Sequence, residues 1–518
     1  MRGLLLVFFS LLCLKSKHDC SAFQPKLTPT LPTKQSEGLG RDCFQKAIPT
    51  SAGRSPVGTS TRMAKKHEDR GARNELFKVR TITAFVTFED SDFESGGEVL
   101  KSKIRDTAGA LQVIKGQLET GGGDGNGNNN SGYEVQTVRI ATNPFPEYLL
   151  GTKSNNGKID EDIFRKRFRM MDDCLEEHGI AFVSLGPANC PETTKICTQI
   201  VGLASGRFSC SVQLQANDTN LAKVAAQTVI DNSKLGNPED GGLANFRFCV
   251  ANLGPYVPFF PAAKAATEKA DERFRIRFAI GLENGGLLKD LLRHDADQTV
   301  AKILPPKRSS LQENSESSFA AGFANVVRPL QTICQAVVKD WDESMSAPLE
   351  YIGLDASFNP SLDDEGSVAS AVEVLKEVPM GFGGAGTIAA TAAMTTAIQT
   401  RLSSKEDNFN ILLTGYNGLM LPLCEDQRLA ELASAGKLRI TDLLNVSSVC
   451  GVGIDTVPIP GDANVDELAS LYLDVAGLAE RWNKPLSCRV FPVPNKQVGD
   501  MTTFDSPFLV NSKVLPIS

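Results

Sequence analysis

Four glycines, Gly381, Gly383, Gly384 and Gly386, fall within six residues, and Thr387 opens a run of small, helix-prone residues directly after them. Glycine permits positive φ and close backbone approach. A helix starting at such a loop leaves its first N–H groups unpaired and directs a partial positive charge outward. With the Thr387 hydroxyl at its mouth, the loop has the makings of a cradle for a small anion. The spacing also satisfies G-x-G-x-x-G, but that dinucleotide fingerprint requires a strand just before the loop. Residues 367–378 (SVASAVEVLKEV) instead place their apolar side chains at helical spacing, which excludes it. A tight turn between helices packed through Ala and Gly is the competing reading.

Carboxylates form the second group. Asp455 and Asp462 flank VPIPG, whose prolines stop a strand, so Asp455 is expected at a strand end. With Asp355, in the word LDASFNP, it offers a pair for metal binding or acid–base work. Turn and helix capping by Asp355 and Asp462 is the alternative. Glu425 and Asp426 stand at an expected helix start, where acids also suit the helix dipole. Together with Asn417 they join the ligand-binding candidates. Cys450 precedes a glycine, but a thiolate nucleophile needs a base or cation beside it. The chain has only four histidines (His18, His67, His178 and His294), none an evident partner. A buried hydrophobe is the other reading of Cys450. Arg80 and Arg489 lie in strand-like segments. Facing inward they need partners, and their forks match a carboxylate or phosphate ligand; facing outward they are solvated. Histidine scarcity directs any divalent cation toward oxygen ligands, with Mg²⁺, Mn²⁺ or Ca²⁺ as the candidates.

Several elements must position these groups. Ten β-rich segments recur, at residues 77–88, 134–141, 180–185, 207–214, 245–251, 274–281, 351–356, 409–414, 446–457 and 487–493. Helical spacing occupies residues 97–118, 160–178, 220–232, 319–342 and 465–482, so strands alternate with helices and the class is α/β. The polar stretch 309–317 reads as a connecting loop, and the Gly/Asn-rich insertion 120–132 as a disordered surface loop. Of the 518 residues 41% are hydrophobic and 22% charged, with a formal net charge of −7. That is ordinary for a soluble protein with a large core. No basic stripe with interleaved aromatics supports nucleic-acid binding. The twelve cysteines include no C-x-x-C pair and imply a reducing compartment.

Residues 1–22 have the form of a signal peptide, with Arg2, an apolar run at 4–14 and small residues at 20–22. The run is too short to cross a bilayer, and no other segment is long enough, so no stable membrane insertion is expected after processing. Residues 23–66 are basic, rich in Ser and Thr, and contain only Glu37 and Asp42 as acids, in the manner of a transit peptide. The junction Ser21-Ala22-Phe23-Gln24-Pro25 resembles that of bipartite plastid-targeting sequences in diatoms and related algae. It implies delivery to the plastid stroma; secretion is the competing destination.

Several words occur in the order of a known family. They are residues 79–83 (VRTIT), 258–263 (PFFPAA), 381–396, 414–422 (TGYNGLMLP) with Glu425 and Asp426, 450–462 (CGVGIDTVPIPGD), and 489–494 (RVFPVP) followed by 498–500 (VGD). In these words the chain resembles the domain of unknown function 711 family over residues 76–518. The resemblance implies a pyruvate formate-lyase-like fold, a ten-stranded barrel of two half-sheets surrounded by helices in one large domain. It does not imply a glycyl radical. Radical enzymes of that fold carry Arg-Val-x-Gly-aromatic near the C-terminus and cysteines on a central loop, whereas Pro492 stands here where the glycine would be. Proline fixes φ and lacks the required setting.

The expectation is therefore an enzyme of the plastid stroma acting on a small anionic metabolite without radical chemistry. The glycine loop and arginines would hold the anion, and Asp355, Asp455 and Cys450 would be the catalytic candidates. A non-catalytic metabolite-binding protein on the same barrel is the alternative. A homo-oligomer is left open.

Overall fold

The computed structural model describes residues 75–518 apart from 123–131, 152–158, 204–205, 237–241, 253, 255, 268–272, 294–298, 305–318, 343–346 and 405–408. The signal and transit segments, most of the Gly/Asn-rich insertion and the 309–317 loop lie outside the described residues.

Nine strands form one mixed sheet: β1 (Lys78–Val86), β2 (Val138–Thr142), β3 (Val183–Ala188), β4 (Phe208–Gln213), β5 (Phe248–Asn252), β6 (Ile276–Glu283), β7 (Leu349–Asp355), β8 (Gly453–Pro460) and β9 (Leu486–Val493). Their spatial order is β7-β6-β1-β2-β3-β4-β5-β9-β8. Strands β1 to β5 run parallel to one another. β6 and β9 flank them antiparallel, and β7 and β8 follow those two in parallel.

The expected tenth strand at 409–414 does not form as a regular strand. Asn410, Gly415 and Asn417 all adopt positive φ there, which interrupts a ladder. Only isolated parallel bridges remain: Leu413 to Leu354, Leu419 to Phe358, and Pro422 to Asp455. The stretch 413–422 thus touches both β7 and β8, the two ends of the strand order. The expected strand 446–457 also divides, because residues up to Cys450 complete the helix Ile440–Cys450 and the strand begins at Gly453. The left-handed Gly451 ends that helix.

Helices form where the apolar spacing and caps place them. Asp160, Asp218, Ser367, Asp426 and Asn464 each accept a backbone N–H at a helix start. The cap expected from Asp462 is supplied by Asn464 instead, and Asp462 accepts from Gln497.

One face of the sheet packs on helices. Ile82, Ala84 and Val86 of β1, Phe208, Cys210 and Val212 of β4, and Ile276, Phe278 and Ile280 of β6 belong to that continuous core. The alternate side chains face the other way and contribute to two separate small clusters, one around Cys249, Ala251 and Phe259, the other around Phe85, Ala141, Ala263 and Ala279. Many residues of this second face are small or polar, among them Thr81, Thr83, Ser184, Ser209 and Ser211.

The chain after β5 lies against this second face. Thr83 Oγ1 donates to the Pro258 carbonyl at 2.8 Å, Ser184 Oγ to Ala263 at 2.7 Å, and Thr414 Oγ1 to Tyr256 at 3.0 Å. Ala265 N–H completes the docking at the Thr142 carbonyl, 2.9 Å away. Gly281 makes room for it: a Cβ there would come within 2.7 Å of the Phe259 ring.

Candidate functional site

Arginines and carboxylates converge on the second face. Arg489 of β9 forks onto Asp455 of β8, Nε to Oδ1 at 2.5 Å and Nη2 to Oδ2 at 3.0 Å. Its Nη2 also reaches Glu425 Oε1 at 2.8 Å, and Nη1 donates to the Phe246 carbonyl at 3.1 Å. The Phe246 ring covers the guanidinium, 4.8 Å from its central carbon. Arg80 joins from β1, with Nη2 3.4 Å from Glu425 Oε2 and Nη1 2.5 Å from Glu283 Oε2. A register shift between Val79 and Thr81 accompanies this placement. Gln136 donates to the other Glu283 oxygen.

Arg139, on β2, is the third arginine of the group. It is enclosed deeply by protein yet keeps part of its surface in reach of water. Its Nε donates to Thr137 Oγ1 at 2.9 Å, and its guanidinium lies 5.1 Å from the Phe260 ring and 5.5 Å from the Phe182 ring. Among the described residues no carboxylate pairs with it. Burial, and then Arg80 and Arg489, pull its pKa down to about 9 while Glu425 opposes them. Its charge therefore persists at neutral pH without a counter-ion. Glu425 is the reverse case. Burial raises its pKa, Arg489 lowers it most among the neighbouring charges, and Asp455 raises it again. This carboxyl is the member of the group whose surroundings favour holding a proton.

Sequence reasoning named Arg80, Arg489, Glu425 and Asp455, and the structure brings these four together. It missed Arg139 and Glu283. The signal for Arg139 was present, an arginine inside the apolar strand Val138–Thr142, of the kind that singled out Arg489. Glu283 lay just beyond the expected end of its strand.

The other candidates sit elsewhere in the hydrogen-bond pattern. Asp355 is fully buried, and Oδ1 accepts from the Ser357 N–H, the Ser357 hydroxyl and the Asn417 N–H, while Oδ2 accepts from Tyr416 N–H. Gly415 is required beside it, since a Cβ there would collide with the carboxylate. Burial raises the Asp355 pKa and these donors oppose the rise. Asp355 thus shapes the turn after β7, and its carboxylate shares no hydrogen-bond partner with Asp455. Asn417 accepts from Ala356 N–H and donates to the Thr414 carbonyl, bracing the same turn.

Asp426 accepts from the Arg428 and Leu429 N–H groups of its own helix, Gln427–Ser434. It also accepts from the Ser367 hydroxyl and from Val368 and Ala369, the first residues of the helix Val368–Val372. One buried carboxylate therefore caps two helices. Cys450 is buried, its Sγ 3.5 Å from the Leu419 carbonyl, and burial pushes the thiol pKa up despite Lys484 nearby. That is a poor setting for a thiolate.

Five N–H groups of the glycine loop are engaged. Phe382 N–H goes to the Glu373 carboxylate, Gly383 N–H to Thr387 Oγ1, and Gly381, Gly384 and Thr387 N–H to loop carbonyls. Glu373 already supplies a negative charge to this loop. Gly386, at φ 95°, passes so near the Glu377 carbonyl that a Cβ would overlap it. This is the geometry of a tight turn between helices. None of these bonds reaches the arginine group. The charged cleft between the helices Glu98–Glu119 and Glu161–Glu177 contains none of these residues either, and is lined by Lys101, Asp162, Arg165 and Arg169 among others.

Among the described residues no three His, Cys, Asp or Glu side chains gather in a way that would hold a metal ion. No described helix is long and apolar enough to cross a membrane.

Fold and site together define a large mixed α/β protein with a buried arginine–carboxylate group on the second face of its sheet. The chain belongs to the family described as Uncharacterised ACR (DUF711), whose model matches residues 72–506. It is similar to the UPF0210 protein of Lactiplantibacillus plantarum, 30% identical over 462 residues, covering 86% of this chain and 92% of the relative. The UPF0210 protein of Oenococcus oeni is 24% identical over 468 residues, covering 86% and 91%. That of the archaeon Pyrobaculum aerophilum is 26% identical over 255 residues, covering 49% and 51%.

Proposed function

We propose that this protein binds a small anionic metabolite at Arg139, inside a pyruvate formate-lyase-like barrel, and is an enzyme that works without a glycyl radical. The observation that carries the reading is the Arg139 guanidinium, enclosed and without a carboxylate partner beside a group in which Arg80 and Arg489 are already paired. A buried cation without a partner is costly, and a bound anion would remove that cost. Glu425, next to the arginines, would take or give the proton of the reaction, with Arg489 and Asp455 setting its tendency to do so.

The barrel reading is supported by the bridges of residues 413–422 to both terminal strands of the sheet. It also gains from the division into five strands one way and four the other, the bridging segment running with the four. The chain docked on the inner face would correspond to the central loop of that fold. Its residues 256–267 include no cysteine, and this favours radical-free chemistry together with Pro492. Plastid delivery remains a proposal that rests on the two leading segments and on Phe23 at their junction.

Dialysis of the protein against a metabolite extract, followed by mass spectrometry of what is retained, tests the reading. An anion enriched by the native protein and not by Arg139→Met is the expected result. Equal enrichment by both would overturn it. A binding protein without turnover is the second reading. It is favoured by the complete hydrogen bonding of Asp355 and the burial of Cys450, which leave Glu425 with few helpers.

A further inference from the structure

We propose that the ligand at Arg139 is a monocarboxylate with a flat, apolar body, an inference that rests on the anion-binding reading above. Three observations lead to it.

The first is the geometry of the free donors. Arg139 Nε is taken by Thr137, which leaves the two terminal amino groups as the edge that can receive a ligand. Two parallel N–H donors on a planar fork match the two oxygens of a carboxylate lying in the same plane.

The second is charge. Arg80, Arg139 and Arg489 carry three positive charges, and Glu283, Glu425 and Asp455 carry three negative ones. All three carboxylates pair with Arg80 or Arg489, which leaves Arg139 as the cation of the group without one among the described residues. A monoanion supplies that single missing partner. A phosphate monoester, with about −1.5 to −2 charges at neutral pH, brings nearly twice the charge needed, close to Glu425 and Asp455. This count selects against phosphorylated metabolites and dicarboxylates.

The third is the wall. Phe260 and Phe182 both lie against the Arg139 guanidinium, and Phe182 is 38% exposed, so its ring keeps area that a ligand could cover. Phe260 is backed by the small buried residues Ala141 and Ala263. A carboxylate held on the edge of Arg139 would bring its carbon body alongside rings that offer area and no hydrogen bonds.

Calorimetric titration at constant ionic strength with benzoate, acetate and inorganic phosphate tests this. Benzoate is expected to bind about tenfold tighter than acetate, the factor an aromatic contact contributes, and phosphate more weakly than either. Arg139→Met should abolish all three. Phe182→Ala, at an exposed position that leaves the fold intact, should reduce benzoate binding and spare acetate. Preference for phosphate through Arg139 would overturn the monocarboxylate assignment while leaving the anion site standing. Equal affinity for acetate and benzoate would overturn the flat body alone. No binding of any of the three would overturn this inference and the anion-binding reading with it.

Discussion

Arg489 holds Asp455 in a two-point fork, 2.5 and 3.0 Å long, and the nitrogen that makes the longer contact also donates to Glu425 at 2.8 Å. One guanidinium thus keeps two carboxylates together that would otherwise repel. The arrangement fixes the charge that Arg139 meets from across the group.

Arg489→Met should test that role. With the guanidinium gone, Glu425 and Asp455 face each other without a shared cation. Breaking a buried pair by removing one partner costs about 3–5 kcal/mol, and the 27% exposure of the Asp455 side chain puts the expectation near the lower end. Urea unfolding at neutral pH measures it. Part of the loss should return as the pH is lowered, because Glu425, whose pKa burial raises, then takes up a proton and no longer repels Asp455.

Glu425→Gln should alter the pH dependence of stability. The folded pKa of Glu425 is raised above the ordinary value of 4.5, so the folded state binds this proton more tightly than the unfolded chain. The stability from that proton is fully present below the unfolded pKa and is lost as pH rises through the folded pKa. The variant, always neutral there, should therefore gain on the native protein as pH rises above about 4.5. Urea midpoints taken across that window would show it, and the opposite slope would mean that Arg489 and Arg80 outweigh burial.

Asp426→Ala removes a cap from two helices at once. A single lost cap costs about 1 kcal/mol, so about 2–3 kcal/mol is expected here, with Asp426→Asn intermediate. Thermal unfolding would register it. Because the partners of Asp426 are all helix-start groups and none is Arg139, affinity for a small carboxylate should be unchanged in whatever fraction remains folded.

Cys450 should resist alkylation in the native protein. It is buried with a raised pKa, whereas Cys190 is the one described cysteine that keeps appreciable exposure. Iodoacetamide labelling followed by peptide mapping should modify Cys190 well before Cys450. Early loss of Cys450 would restore it as a nucleophile candidate.

The alternation of strands and helices was legible because each element carries its own local signal. The apolar stripe of Val465–Trp482 and the β-branched run of Lys78–Val86 need no distant partner to be recognised. The segment 409–414 misled for the same reason. Its composition is that of a strand, but the positive φ at Asn410, Gly415 and Asn417 comes from its contacts with Asp355, Ala356 and neighbouring turns. The glycine word misled differently. Its amide groups looked available because Glu373, which takes one of them, is recognised as a partner only when the chain is folded.

By itself the sequence determined the α/β class, the family, the places where helices begin, and the presence of arginines in strands that would otherwise be apolar. Those properties depend on residue type and on neighbours within a turn or a strand. Only the tertiary structure decided which charges meet. Arg80 and Glu425 stand 345 residues apart, and Arg489 reaches Glu425 across 64. Strand order and register determine such pairings, and they arise from the packing of the whole sheet. The same packing left Arg139 enclosed among aromatic rings with no carboxylate of its own among the described residues.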